Sequence, residues 1–187
     1  MSCGDNLGGY RKRAVQKESC PLGKGRTVVD FDFFNQSGEV LLPISGFDSG
    51  TPQANVMNEQ VIGSIEFDNL CSGDLVKIDG SGEANFPASF ETGNTTIVIK
   101  IRRVDRSQTN PLLGAAVFSR AFNLDTSILG SDLLGNVLFP IDFTDYINRN
   151  NESVSYVITG AAIQPFSGEG VVAVSNTNIT GTVFRSN

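Results

Sequence analysis

Beyond Gly25, apolar residues in this chain alternate with polar ones at a period of two, and they do not recur at helical spacing over the length of a full helix. The clearest segment is 95–104, in which isoleucines at every second position face one way and Val98, Lys100 and Arg102 face the other. Such alternation is typical of a strand with one buried face. The pattern therefore predicts an all-β fold.

The same pattern predicts roughly nine to eleven short strands in close succession. Gly80-Ser81-Gly82 is predicted as a hairpin turn, segment 123–136 as either loop or short helix, and segment 144–149 as one helical turn. Short strands without long helices favour an antiparallel jelly roll or β-sandwich, placed here at residues 27–187. The predicted strands are 29–33, 39–44, 61–67, 75–79, 83–90, 95–104, 115–122, 137–143, 153–159, 170–174 and 178–184.

Residues 1–26 are predicted to form an extended N-terminal arm. The arm contains the basic cluster Arg11, Lys12 and Arg13, and it holds six basic residues against two acidic ones, a net charge of +4. Because the whole chain carries −6, the body carries −10. We expect Arg11, Lys12 and Arg13 to dock the arm on the acidic surface of a neighbouring subunit; the alternative is a solvated tail.

The chain has three cysteines, of which Cys3 and Cys20 lie in the arm and Cys71 lies in the body. An odd number leaves at least one cysteine unpaired within the chain, which favours a bond between chains. Cys3, Cys20 and Cys71 are therefore the candidates for intersubunit cross-links, with a bond from an arm cysteine to Cys71 of a neighbour preferred. The alternative is three reduced thiols in a cytosol.

Two predicted strands are apolar on both faces, namely 137–141 and 171–174. The outward face of a two-layer sandwich is normally polar, so apolar residues there need a cover. A subunit interface is the preferred cover, and a loop or the folded-back arm is the alternative.

Features that carry catalysis or bind cofactors are scarce. The chain has no histidine, which removes the commonest general base and the usual nucleophile pairs, and its cysteines are too dispersed for a metal knuckle. Asp30 and Asp32 are expected on the solvated face of an edge strand. Segment 79–83 resembles a calcium loop only faintly and is explained by the hairpin turn. We therefore expect no enzyme, no cofactor and no metal.

The acidic balance, with a pI near 4.6, disfavours nucleic acid as a partner. Arg102, Arg103 and Arg106 are expected at an exposed strand end; the alternative is a group that binds an anion. No apolar run approaches the roughly 20 residues that span a bilayer, and the N-terminus lacks the apolar region of a signal peptide, so neither membrane insertion nor ordinary export is expected. The chain also contains four Asn-X-Ser/Thr sequons, which we attribute to chance: Asn35, Asn94, Asn151 and Asn178.

Two pairs of segments carry a resemblance: 95–103 followed by 116–120, and Ser153-Val-Ser-Tyr-Val-Ile-Thr159 followed by Asn178-Ile-Thr-Gly-Thr-Val-Phe184. They resemble segments of proteins of the bacterial spore surface. Over residues 61–187 the chain is similar to the C1q/tumour-necrosis-factor-like jelly-roll domains of exosporium and spore-appendage proteins. The resemblance implies a homotrimeric or fibre-forming structural protein with a cysteine-bearing N-terminal connector. It also implies synthesis in the mother cell and a place on the spore surface.

The sequence thus predicts a self-assembling structural protein, a subunit of a surface fibre, appendage or coat layer. Its expected partner is itself, and its expected location is a spore or cell surface without a classical signal peptide. Two alternatives remain. One is a phage or virion decoration or tail protein, which requires a capsid partner. The other is a carbohydrate-binding module, although the chain has no Trp and three Tyr for stacking on sugars.

Overall fold

The structure is a computed structural model of the chain. It describes residues 14–15, 26–47, 58–86, 94–105, 108–125, 135–150, 152–165 and 170–186. The backbone alone is described at residues 14–15, 45–47, 86, 94, 124–125, 135 and 164–165.

The described residues form ten strands and one short 3-10 turn, Pro111–Leu113. The strands are β1 (Ala14–Val15), β2 (Arg26–Asn35), β3 (Val40–Phe47), β4 (Gln60–Leu70), β5 (Leu75–Phe86), β6 (Asn94–Asp105), β7 (Ala115–Asp125), β8 (Gly135–Tyr146), β9 (Glu152–Pro165) and β10 (Val171–Ser186).

The strands pair as a series of nested antiparallel partners. Strand β6 pairs with β7, β5 with β8, β4 with β9, and β2 with β10. Further pairing of β10 with β5 and of β6 with β9 gives two sheets, ordered β2-β10-β5-β8 and β4-β9-β6-β7. This arrangement is a jelly roll, in which a long two-stranded ribbon folds into two facing sheets. The predicted fold class is confirmed.

Strand β3 connects the two sheets along one side. Its first half, Val40–Pro43, pairs antiparallel with β10, and its second half, Ile44–Phe47, pairs parallel with β9. On the opposite side the rings of β7 and β8 close the sandwich. The ring centroids of Phe118 and Phe143 lie 6.0 Å apart, as do those of Phe122 and Phe139.

The core lies between the two sheets and consists of inward side chains at every second strand position. Ile97, Ile99 and Ile101 are at most 1% exposed, as their alternation predicts. The largest fully buried side chains are Tyr156, Phe67, Phe139, Leu42, Ile62, Ile65, Leu70, Ile78, Ile97, Ile99, Ile101 and Ile141.

The predicted hairpin turn at Gly80-Ser81-Gly82 is wrong, because β5 runs without interruption from Leu75 to Phe86. The two glycines are needed for close packing rather than for a turn. A Cβ atom at Gly80 would collide with the backbone carbonyl of Asn178, and one at Gly82 would collide with the ring of Phe139. A glycine inside a strand commonly marks such a close approach.

Two further predictions are corrected near the end of the chain. Residues 144–146 belong to β8, and 147–150 are not helical, so the helical turn at 144–149 is wrong. The predicted strands 170–174 and 178–184 form one strand, β10, with an irregularity between Ser175 and Asn178. Asn176 adopts a left-handed backbone conformation there, with φ of 51°.

Strand β2 packs against the core with the opposite face from the one expected. Asp32 and Phe34 point into the core, at 3% and 5% exposure, whereas Phe31 points outward and is 39% exposed. Asp32 remains buried because both of its carboxylate oxygens accept backbone N–H groups, those of Phe33 and Glu66. The solvated role predicted for Asp32 is therefore wrong.

Candidate assembly surface

The outward side of the sheet β2/β3-β10-β5-β8, here called the open face, carries a continuous row of apolar side chains. The strand registers pair Val28 with Phe184, Phe184 with Leu75, and Leu75 with Tyr146. Partners in register point to the same side of a sheet, so these four residues form one apolar row that crosses four strands.

Most of the exposed large apolar side chains lie on the open face. Leu138 is 74% exposed and Tyr146 is 58% exposed, although a side chain of either type is usually at least partly buried. Among the described residues, the exposed large apolar side chains on the open face are Val28, Phe31, Leu41, Leu138, Tyr146 and Val171. Leu113 is also exposed but lies outside the open face. The predicted outward placement of apolar residues on 137–141 and 171–174 is confirmed at Leu138 and Val171; what covers them stays a prediction.

The centre of the open face is polar. Lys77 lies 2.8 Å from the carboxylate of Asp79, and this hydrogen bond raises the pKa of the lysine. Asp142 is exposed directly across the strand pair from Asp79. Farther along, Glu83 accepts hydrogen bonds from the side-chain amides of Asn136 and Asn176. Segment 79–83, whose resemblance to a calcium loop is only faint, is thus part of a strand whose carboxylates bind neighbouring side chains.

The outward side of the other sheet is different, because its centre is covered. Val157, Thr159 and Ala161 point outward from β9, yet none is more than 4% exposed. Glu59 lies over this surface and binds Lys100 at 3.1 Å and Arg102 Nε at 2.6 Å, and it accepts a short hydrogen bond from Thr159.

The ionised state of Glu59 is strongly favoured. Burial opposes ionisation, but hydrogen bonds from Arg102, Thr159 and Lys100 outweigh burial and lower the pKa of Glu59 to about 2. Arg102 also donates to the carbonyl of Gly114. The expected exposed strand end is therefore wrong for Arg102, whose side chain is 15% exposed; Arg106 lies outside the described residues.

A second ionic group joins the two sheets at one end of the sandwich. Arg103 on β6 binds Asp145 on β8 at 2.9 Å and Glu152 on β9 at 2.7 Å. Tyr156 on β9 donates its hydroxyl to the same oxygen of Asp145. Burial and the Asp145 carboxylate raise the pKa of Tyr156, so the phenol remains protonated. The expected exposed position is wrong for Arg103 as well.

A third buried pair supports the turn that carries Cys71. Arg185 donates two hydrogen bonds to the carboxylate of Asp74, which also accepts the backbone N–H of Cys71 at 2.7 Å. Cys71 is 4% exposed and disulfide-bonded. The other two cysteines of the chain, Cys3 and Cys20, lie outside the described residues, so the predicted bond from an arm cysteine to Cys71 of a neighbour stays a prediction.

The arm contributes one described element, β1, which pairs antiparallel with the edge of β2. Ala14 aligns with Phe31, and Val15 aligns with Asp30. The arm therefore contacts the body at the edge strand that borders the open face. Arg11, Lys12 and Arg13 lie outside the described residues, so their predicted docking role stays a prediction.

The carboxylates of Asp32, Glu59, Asp74 and Asp145 are used in structural contacts. In the described ranges no three His, Cys, Asp or Glu side chains are grouped so as to hold a metal ion. The described part of the chain likewise has no helix with the length and hydrophobicity needed to cross a membrane.

Sequence reasoning missed Val28, Leu75, Tyr146 and Phe184 as members of one surface. Tyr146 falls in the predicted helical turn, and Val28 precedes the predicted strand. The sequence signal for these residues is the occurrence of apolar residues at the ends of the predicted strands. This signal does not reveal the apolar row, because the row forms only when four strands that are distant in the chain align.

No protein-family model matches the sequence, and no curated protein matches it. Among solved structures, the chain is similar to the infectious bursal disease virus VP2 subviral particle, with a TM-score of 0.44, 14% identity, and coverage of 100% of this chain and 41% of that one. The chain thus spans about two fifths of the length of the VP2 chain.

Two other similar structures are more distant. Dimeric latent PorU from Porphyromonas gingivalis has a TM-score of 0.39 and 13% identity, over 90% of this chain and 14% of that one. A CBM4 structure has a TM-score of 0.28 and 14% identity, over 88% of this chain and 79% of that one.

Proposed function

We propose that the protein is a non-catalytic structural subunit that self-assembles through its jelly roll into a surface fibre, appendage or coat layer. The observation that carries this proposal is the difference between the two outward faces. One face is covered at its centre by Glu59 and its partners, while the other exposes an apolar row across four strands. Contiguous exposed apolar surface of this kind marks sites of protein–protein contact.

The internal ionic groups support a structural role. Three separate groups join elements that are distant in the chain, centred on Glu59, Asp145 and Asp74. Each is mostly buried, so removing one partner leaves an uncompensated charge, and local opening is strongly disfavoured. A body held in this way suits a building block that must keep its shape.

The arm supports linkage between subunits. Its net charge of +4 complements a body of −10. Strand β1 pairs arm backbone with the β2 edge, and the same pairing is open to the arm of a neighbour. We propose that a cysteine of the arm forms an intersubunit disulfide. One disulfide uses two of the three cysteines. Because Cys71 is disulfide-bonded, one of the three remains for such a link.

The resemblance to spore-surface proteins supports a location on a spore or cell surface. A virion location is the alternative, and it requires a capsid partner to which the protein binds in place of a second copy of itself.

Negative-stain electron microscopy and sedimentation velocity of the full chain, purified without reductant, test the proposal. We expect fibres, stacks or discrete oligomers whose fraction grows with protein concentration. A monodisperse monomer throughout a range of about 1 µM to 1 mM, which covers about 4 kcal/mol of association free energy, would overturn it.

A further inference from the structure

We infer that the open face pairs with the open face of a second copy in an isologous two-fold interface. This inference rests on the proposed function and names the surface through which assembly begins. Its basis is the arrangement of residues on the face, which is self-complementary when two copies are related by a dyad.

The apolar row is symmetric about the middle of the sheet. A two-fold axis that lies between the faces and runs along the strands places β2 of one copy over β8 of the other, and β10 over β5. Val28 then faces Tyr146 of the second copy, and Phe184 faces its Leu75. Each apolar residue of the row therefore meets an apolar residue, so the row is removed from water along its whole length.

The same axis keeps like charges apart at the polar centre, where Asp142 on β8 faces the β2 residue in register with it, Phe33. Lys77 and Asp79 lie on β5, so they face the β10 residues that are in register with them, Thr182 and Thr180. The threonine hydroxyls offer hydrogen bonds to both charges. A face with charges in the middle of both β5 and β10 would instead bring like charges together, which is destabilising.

The size of the face matches the size of a stable dimer interface. Four strands spaced by about 4.8 Å, each about 12 residues long at about 3.3 Å per residue, give a face of about 19 by 40 Å, or about 760 Å². A standard protein–protein interface buries about 800 Å² on each partner. The open face is therefore large enough to hold a second copy without help from other surfaces.

Sedimentation equilibrium of the full chain tests this inference with matched variants. Val28→Asp and Tyr146→Asp each place a charge in the apolar row, and each should weaken self-association by roughly 30-fold or more, because the charge is buried against an apolar residue of the second copy. Leu113→Asp is the control, because Leu113 is as exposed as Leu138, at 74%, but lies in the 3-10 turn away from the open face. It should leave association unchanged.

A cross-linking experiment tests the orientation of the two copies. Val28 and Tyr146 lie on opposite edges of one sheet, about 14 Å apart across three strand spacings, which is too far for a disulfide within one chain. The double variant Val28→Cys/Tyr146→Cys should therefore add a disulfide-linked dimer band under oxidising conditions. The single variants and Leu113→Cys should not add that band to the wild-type pattern.

The outcomes separate this inference from the proposed function. If the wild type associates but Val28→Asp, Tyr146→Asp and Leu113→Asp all match it, the face inference is overturned and self-assembly stands. The face inference is also overturned if only deletion of residues 1–13 abolishes association, because the arm would then carry the contact. If the wild type is monomeric throughout, the proposed function itself is overturned.

Discussion

The hydroxyl of Tyr156 lies 2.7 Å from Oδ2 of Asp145, and this hydrogen bond joins the two sheets of the jelly roll. Asp145 lies on β8, and Tyr156 lies on β9 of the facing sheet. Because the same oxygen also binds Arg103, one carboxylate accepts from two donors of the opposite sheet, the buried Tyr156 and the partly buried Arg103.

Replacing Asp145 with Ala should destabilise the fold by about 3 kcal/mol, because it leaves Arg103 and the Tyr156 hydroxyl without their acceptor. Asp142→Ala is the matched control, since Asp142 lies on the same strand but is exposed, and it should change stability by less than about 0.5 kcal/mol. Urea denaturation measures both. Equal effects of the two substitutions would show that the Asp145 group contributes nothing specific.

The depressed pKa of Glu59 predicts a pH-dependent contribution to stability. The pKa is about 2 in the folded chain against an ordinary 4.5, so the ionised carboxylate stabilises the fold fully above pH 4.5, and this contribution is lost as the pH falls toward 2. Glu59→Gln should therefore be less stable than the wild type by about 3 kcal/mol at pH 7, and the difference should shrink between pH 4.5 and 2.

Denaturant titrations at a series of pH values test this prediction. Glu39→Gln is the control, because Glu39 is exposed, and its stability curve should run parallel to that of the wild type. A stability difference for Glu59→Gln that stays constant from neutral pH down to about pH 2 would contradict the assignment.

The buried pair of Asp74 and Arg185 should be among the most sensitive sites of the fold. Arg185→Leu leaves the Asp74 carboxylate, which is 1% exposed, without its cation, and it should cost about 3–5 kcal/mol. Arg26→Leu, at an exposed residue in register with Ser186 beside Arg185, should have little effect. The midpoint of thermal unfolding, followed by circular dichroism, distinguishes the two variants. Similar midpoints would mean that the pair is not a stabilising contact.

The glycines of β5 should be intolerant of a side chain. Gly80→Ala brings a Cβ atom against the backbone of β10, which cannot move without breaking strand pairing, and it should destabilise the fold by about 2 kcal/mol or more. Gly38→Ala is the control, because no atom lies within 4 Å of the added Cβ. Expression of folded protein and its denaturation midpoint check both variants. A Gly80→Ala protein as stable as Gly38→Ala would show that β5 and β10 are farther apart than described.

The arm cysteines should determine how resistant the assemblies are. Replacing Cys3 and Cys20 with Ser removes the disulfide of Cys71 together with any link that the arm cysteines make between chains. The fold should stay intact, but the assemblies should be dispersed by detergent or heat, since the covalent links are lost. Non-reducing gel electrophoresis and electron microscopy after heating provide the measurement. Assemblies of the double variant that are as resistant as those of the wild type would remove the cross-link hypothesis.

The strand pattern was predictable because alternation is a local property of the chain. The isoleucines of β6 are buried as their spacing indicates, and this burial follows from the period of two alone. Strand β2 shows where alternation fails. Either face of this strand could be buried, because aromatic residues occur on both faces, at Phe31 and Phe33 and at Phe34. Which face is buried depends on whether Asp32 finds backbone donors such as the N–H of Glu66 on β4.

The fold class follows from the sequence, because the period of two and the absence of helical spacing leave an all-β sandwich as the arrangement that buries these apolar residues. Which residues contact one another depends on how the strands pair in three dimensions. Gly80 is needed because β10 approaches β5, and Arg102 is only partly exposed because Glu59 lies over it. The apolar row exists because Val28 and Tyr146 align across two other strands. These contacts join residues far apart in the chain, and sequence spacing carries no information about strand register between distant segments.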